Sequence, residues 1–107
     1  MSAQNFVHLH THTDYSLLDG AAPVSSIVEQ AVEFGMPAVA CTDHGYMSGA
    51  VEFYQTAVKH DIKPIIGCEF YVAPTKMTEK NSRQSHAQGY HLVLLAKDEE
   101  GYRNLCL

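Results

Sequence analysis

The chain has little positive charge, few cysteines and no long apolar run. Its 7 lysine and arginine residues are outnumbered by 12 aspartate and glutamate residues, which gives a net charge of −5. This balance argues against a nucleic-acid interface built on a basic surface, unless bound cations reverse the local field. No stretch approaches the ~20 apolar residues of a membrane-spanning helix, and no basic segment typical of a signal peptide begins the chain. We therefore expect a soluble, cytoplasmic protein without a membrane partner.

The cysteines do not form a recognisable pattern. Cys41, Cys68 and Cys106 are odd in number and show no CxxC spacing. A disulfide framework or a structural zinc finger would need such a set. We expect these residues to be small buried hydrophobes in a reducing compartment. The 107 residues suffice for one small domain or for part of a larger one.

What the chain does have is a concentration of histidine near its start. His8, His10 and His12 lie within five residues, and Asp14 and Asp19 follow them. If residues 6–12 form a strand, alternate side chains share a face, so the three imidazoles would point the same way. The acids would then lie in the loop after the strand. The segment predicts the first half of a metal centre.

The rest of the chain alternates between strand-like and helical patterns. Strands are predicted at residues 5–11, 37–42, 64–72 and 90–96. Helices are predicted from Pro23 to Gly35, from Ser48 or Gly49 onward, and after an N-cap at Asp98. The first two helices carry apolar stripes, namely Val24, Ile27, Val28, Ala31 and Val32, then Ala50, Phe53, Tyr54, Ala57 and Val58.

This alternation indicates an α/β fold with parallel strands and right-handed crossovers, and it leaves a barrel and an open sheet as alternatives. Residues 74–89 interrupt the alternation and are predicted to form a long polar loop. The third helix reaches Leu107 without a stop signal. We therefore expect residues 1–107 to be a single incomplete domain of a longer chain.

Candidate ligands recur where predicted strands end, which is where α/β folds place their working residues. His10 and His12 are at the end of the first strand and His44 is at the end of the second, whereas His91 begins the fourth and fits this rule less well. Glu69 lies in a strongly apolar strand, where a buried acid needs a partner such as a metal. Asp43 is expected to support a ligand by orienting an imidazole or capping a turn.

Imidazole and carboxylate donors suit zinc, manganese or iron. A cluster of this size could hold two or three ions, and the usual chemistry of such sites is phosphoester hydrolysis. For His8 a ligand role stays open, because strand alternation does not exclude it. Asp14 is expected to be a loop or cap residue.

The sequence closely resembles the polymerase-and-histidinol-phosphatase (PHP) domain family, over nearly the whole chain outside the polar loop. The resemblance lies in the segments Phe6–Gly20, Pro37–Gly45, Ile62–Val72, Tyr90–Ala96 and Gly101–Leu105. It implies a distorted (βα)7 TIM-like barrel, here truncated after about four strands, with up to three divalent metals at its rim. By position, the implied ligands are His10, His12, Asp19, His44, Glu69 and His91. The family completes this set with a later Cys and a later Asp-x-His.

Within the family, the phrases around Asp19-Gly20 and from Lys63 to Val72 are similar to the PHP domains that begin bacterial replicative DNA polymerase alpha subunits. The resemblance implies a metal-dependent phosphoesterase with 3′-5′ proofreading exonuclease activity, inside a longer DNA-directed DNA polymerase. Its partners would be the primer 3′ end, reached through the full-length polymerase, and other replicase subunits. One alternative is a metal-stabilised scaffold that braces the polymerase and docks a separate exonuclease subunit. A stand-alone PHP phosphatase is a further, less favoured alternative.

Overall fold

The computed structural model describes residues 5–17, 19–73, 76 and 90–107. Its elements are, in chain order, α1 (Val24–Glu33), β1 (Ala38–Cys41), α2 (Ala50–Lys59), β2 (Lys63–Val72), β3 (Tyr90–Leu95) and α3 (Glu99–Cys106). The strands form one sheet in the order β1-β2-β3. This is the mixed α/β class that the sequence predicts. Across the residues described, no helix is long and apolar enough to cross a membrane.

The predicted first strand at residues 5–11 is wrong, although this segment does run beside β1. The carbonyl of His8 accepts from the Ala40 amide at 3.1 Å, and the carbonyl of Thr11 accepts from the Thr42 amide at 2.8 Å. From one bond to the next, the first segment advances three residues, from His8 to Thr11, while β1 advances two, from Ala40 to Thr42. The extra residue in the first segment interrupts the regular hydrogen-bond pattern of a parallel strand pair. The Thr11 amide bonds instead to the Thr42 hydroxyl, at 2.8 Å.

The first helix ends where the sequence predicts. Gly35 adopts a φ of +71°, a conformation that glycine reaches without strain. Its amide donates to the Val32 carbonyl at 2.9 Å, and the Met36 amide donates to the Ala31 carbonyl at 3.0 Å. This pair of bonds is a Schellman motif, which satisfies the last carbonyls of α1. The predicted cap of α3 is also confirmed, since the Asp98 carboxylate accepts from the Gly101 amide at 2.8 Å.

The core lies between the helices α1 and α2 and the strand β1. It consists of Val24, Val28, Ala31, Val39, Cys41, Phe53, Ala57 and Ile62. The predicted apolar stripes are wider than the buried faces, because Val32, Tyr54 and Val58 are 42%, 54% and 54% exposed. These three side chains lie on helix flanks that no described element covers.

Two of the three cysteines are buried as predicted, and Cys106 is exposed instead, on the outer helix α3. Burial, with the negative charge of Asp43 nearby, raises the pKa of the Cys41 thiol to about 12. Burial also raises the pKa of the Cys68 thiol. Both thiols are therefore protonated at neutral pH and serve as small core side chains.

The sheet is parallel between β1 and β2 but antiparallel between β2 and β3. The prediction that all strands are parallel is therefore wrong for β3. A parallel return needs a crossover element that packs on the sheet, and residues 73–89 contain no Val, Ile, Leu or aromatic residue to form its apolar face. The polar loop predicted at residues 74–89 lies outside the described residues, apart from Lys76, which is exposed.

This topology decides which residues meet at the end of the sheet. The β1–β2 register pairs Cys41 with Ile66, and an isolated bridge continues the same register to His44 and Glu69. In the antiparallel pair, Tyr71 lies opposite His91. The beginning of β3 therefore lies at the carboxyl end of β2. For this reason His91 lies near His44 and Glu69 at the carboxyl end of β2, although it is near the beginning of its own strand.

Candidate metal centre

The six residues predicted as metal ligands converge at the carboxyl end of β1 and β2. They are His10, His12, Asp19, His44, Glu69 and His91. Two come from the irregular segment beside β1, and one comes from the turn after it. The others follow β1, lie within β2 and begin β3. The cluster thus combines side chains from the stretch before α1, from the residues after β1, from β2 and from β3.

Glu69 lies at the centre of the cluster and is 6% exposed. Its Oε2 atom is 2.9 Å from Nε2 of His10 and 2.6 Å from Nε2 of His12. Its Oε1 atom is 3.2 Å from Nδ1 of His91. Burial raises the pKa of this carboxyl, but the hydrogen bonds and charges of His10 and His12 outweigh burial and bring the pKa down to about 2. Glu69 is therefore ionised at neutral pH.

Asp19 connects the two other sides of the cluster. Its Oδ2 atom is 2.9 Å from Nδ1 of His12 and 3.4 Å from Nδ1 of His44. A hydrogen bond from Ser16 is the main cause that lowers the pKa of Asp19; burial opposes it, and the nearby His12 and His44 lower it further. Nδ1 of both histidines thus faces the Asp19 carboxylate, while their Nε2 atoms differ: that of His12 contacts Glu69 at 2.6 Å, and that of His44 points away from Asp19.

The donor set fits a divalent cation. Two groups of side chains have ligand atoms within 4.8 Å of one another, namely His10, His12 and Glu69, and His44, Glu69 and His91. Glu69 belongs to both groups. In the described part of the chain, the buried Nε2 atom of His44 has no hydrogen-bond partner. An orphaned buried nitrogen of this kind is costly unless something such as a metal binds it.

Asp19 belongs to neither group of three, but it contacts one histidine of each. Metal-binding histidines commonly donate their second N–H to a carboxylate, which fixes the ring and its tautomer. The contacts of Asp19 match this role as well as that of a direct ligand.

The two residues expected beside the ligands, His8 and Asp43, lie in different surroundings. His8 is exposed and packs edge-on against Phe6, with ring centroids 4.8 Å apart. Asp43 is 1% exposed and accepts from the amide and hydroxyl of Thr13, at 2.6 and 2.8 Å. It also accepts from the Cys41 thiol at 3.6 Å. Its described bonds therefore orient the loop after His12, rather than an imidazole.

Two further residues of the site were missed by the sequence reasoning. The Tyr71 ring stacks on His44 with centroids 4.7 Å apart and meets His91 edge-on at 5.2 Å. Tyr71 lies two residues after Glu69, and strand alternation places both on one face. This signal could have found it. Ser16 bonds to Asp19 and to the His44 backbone. It lies in a turn, where no periodicity could have indicated it.

The PHP domain model matches residues 8–107, and the chain belongs to the PHP domain family. Among curated relatives, it is 52% identical over 102 residues to the DNA polymerase III subunit alpha of Chlamydia trachomatis. It is 52% identical over 100 residues to that of Borreliella burgdorferi and 44% identical over 116 residues to that of Mycobacterium tuberculosis. These matches cover 95%, 94% and 97% of this chain but 8%, 9% and 10% of the relatives. The chain thus spans a tenth or less of their length.

Proposed function

We propose that this chain is the beginning of a PHP domain in a bacterial replicative DNA polymerase, and that this domain is a metal-dependent phosphoesterase acting on the primer 3′ end as a proofreading exonuclease. The observation that carries the proposal is Glu69, a buried carboxylate shared by two histidine groups. The polymerase relatives support the choice of substrate. The remainder of a (βα)7 barrel, polymerisation itself and contacts with other replicase subunits would lie in parts of the parent protein beyond this chain.

The ions would be held by His10, His12, His44, Glu69 and His91, with Asp19 as a ligand or as the partner of the imidazoles. When bound, divalent ions neutralise phosphate charge and lower the pKa of water, which is the chemistry that phosphodiester hydrolysis needs. The carboxylates of the protein orient the imidazoles that would bind the ions. Glu69 bonds to the Nε2 atoms of His10 and His12, and Asp19 lies 2.9 Å from Nδ1 of His12 and 3.4 Å from Nδ1 of His44.

The edge of the cluster is open to a substrate. The side chains of His10 and His91 are 55% and 43% exposed, whereas that of Glu69 is 8% exposed. A phosphate could therefore approach from the side of these two histidines. Because the chain has a net charge of −5, attraction of DNA depends on the bound cations reversing the local field.

The test uses a polymerase alpha subunit that contains this segment and a primer with a mismatched 3′ end. We expect trimming only with a divalent metal, and we expect His12→Ala to abolish it while leaving polymerisation on a matched primer largely intact. His60→Ala is the matched control, because His60 bonds to the Thr56 carbonyl at the end of α2. Trimming by the His12→Ala protein at the wild-type rate would refute the proposal.

A metal-stabilised scaffold that braces the polymerase and docks an exonuclease subunit is the second candidate. It is favoured by the origin of the cluster. One candidate ion group joins two chain segments and the other joins three, so bound ions would hold these segments together even without turnover. In that case a chelator should lower the melting temperature, while neither state hydrolyses the primer. A stand-alone phosphatase is less favoured, because the relatives named above are polymerase subunits.

A further inference from the structure

We propose that Ser16 is a positioning residue of the metal centre, whose hydroxyl joins Asp19 to the backbone of His44. This inference rests on the proposed metal centre. It adds a group that touches neither metal nor substrate and acts through the Asp19 carboxylate.

The Ser16 hydroxyl is buried and makes one hydrogen bond as a donor and one as an acceptor. Ser16 is 1% exposed. Its Oγ atom donates to Oδ1 of Asp19 at 2.6 Å and accepts from the amide of His44 at 3.1 Å. One hydroxyl therefore connects the turn that carries Asp19 with the segment that carries His44.

The turn gives this hydroxyl a fixed location. The Ser16 amide donates to the Thr13 carbonyl at 2.9 Å, and its carbonyl accepts from the amides of Asp19 and Gly20 at 3.1 and 2.8 Å. Thr13 is in turn held by the buried carboxylate of Asp43. Ser16 is thus bound through its backbone and side chain to a buried part of the structure.

The bond from Ser16 orients the Asp19 carboxylate. Its side chain is 37% exposed, so water could compete for its oxygens. With Oδ1 held by Ser16, the Oδ2 atom faces Nδ1 of His12 and Nδ1 of His44. Without the hydroxyl, Asp19 would be free to rotate toward solvent. His12 would then lose the carboxylate beside its Nδ1 atom, whereas Nδ1 of His44 would keep the Tyr71 hydroxyl, 3.4 Å away.

The first arm of the test needs no metal. Nitrogen-15 NMR of the imidazoles, at one fixed pH, reports which ring nitrogen carries the proton. We compare the wild-type chain with Ser16→Ala and with Ser16→Cys, which keeps the shape but donates weakly. We expect the Nδ1 signal of His12, which lies 2.9 Å from Asp19, to shift in both variants, and the signals of His60 to stay unchanged. Thr56→Ala, which removes a hydroxyl from α2, should shift neither cluster histidine.

The second arm measures cobalt affinity by competition with a chelator. We expect Ser16→Ala to weaken binding by about 10- to 100-fold, the usual effect of removing a partner of a ligand. In an Asp19→Asn chain, Ser16→Ala should cause no further loss, because the hydroxyl acts through Asp19. A merely structural role would give additive losses instead.

Three outcomes would contradict either the role of Ser16 or the proposed metal centre. Imidazole signals and cobalt affinity that match the wild type would overturn the role of Ser16. A Ser16→Ala chain that has lost its helical circular dichroism would also overturn it, because the hydroxyl would then hold the fold. A wild-type chain that takes up no cobalt would refute the proposed function, and the metal-free spectra would still decide whether Ser16 positions Asp19.

Discussion

Replacing Glu69 by glutamine is the sharpest perturbation of the candidate centre. The change keeps the size of the side chain and removes its negative charge. Glu69 contacts His10 and His12 through one oxygen and His91 through the other, and it belongs to both candidate ion groups. An amide group would place N–H hydrogens against some of these nitrogens and would be a poor ligand for a cation.

A minimum can be given for the loss of metal affinity in Glu69→Gln. Removing a residue that only supports a ligand weakens metal binding about 10- to 100-fold. Loss of a shared ligand should exceed this, so we expect at least ~100-fold weaker binding, or about 2.7 kcal/mol. Chelator competition with zinc and manganese measures the affinity, and circular dichroism checks the fold. Glu29→Gln, on the exposed side of α1, is the matched control. Equal affinities of Glu69→Gln and wild type would refute the reasoning.

Three further predictions concern the loop and the buried acids. Gly20→Ala should weaken metal binding, measured by the same competition, because its Cβ would lie 1.8 Å from the Thr13 carbonyl oxygen and the turn must shift. Asp43→Asn should destabilise the metal-free chain by about 1–3 kcal/mol in urea unfolding, because an amide cannot accept all the bonds that the carboxylate accepts. Burial raises the pKa of Glu69, but His10 and His12 lower it from 4.5 to about 2. The folded chain therefore binds fewer protons than the unfolded chain in this window, and stability should fall from pH 4.5 toward pH 2, with a smaller loss in Glu69→Gln.

The helices and the strands β1, β2 and β3 could be predicted from the sequence, because they depend on local pattern, whereas the strand expected at residues 5–11 is absent from the described structure. The stop of α1 at Gly35 follows from a backbone conformation that glycine adopts readily. The burial of β1 follows from its continuous apolar run. Exposure of Val32, Tyr54 and Val58 could not be predicted, since a helical stripe does not reveal which neighbours will cover its flanks.

Sequence pattern indicated part of the candidate site, since His44 follows a strand and Glu69 lies within one. The complete set of six candidate ligands came from the resemblance to the PHP family, because His10, His12 and Asp19 lie in a segment that is not a strand.

The direction of β3 could not be predicted, because the residue pattern of a strand does not tell whether it pairs in parallel or antiparallel with its neighbour. His91 therefore seemed to lie at the wrong end, until antiparallel pairing placed it opposite Tyr71. The bonds of Ser16 and Asp43 depend on a turn whose tertiary contacts leave no periodic trace in the sequence.

The most direct test of the metal centre is an anomalous diffraction map from crystals of this chain grown with zinc or manganese. We predict peaks beside Glu69, one bounded by His10 and His12 and one bounded by His44 and His91. No anomalous peak within coordination distance of Glu69, in crystals where these side chains are well ordered, would contradict the account.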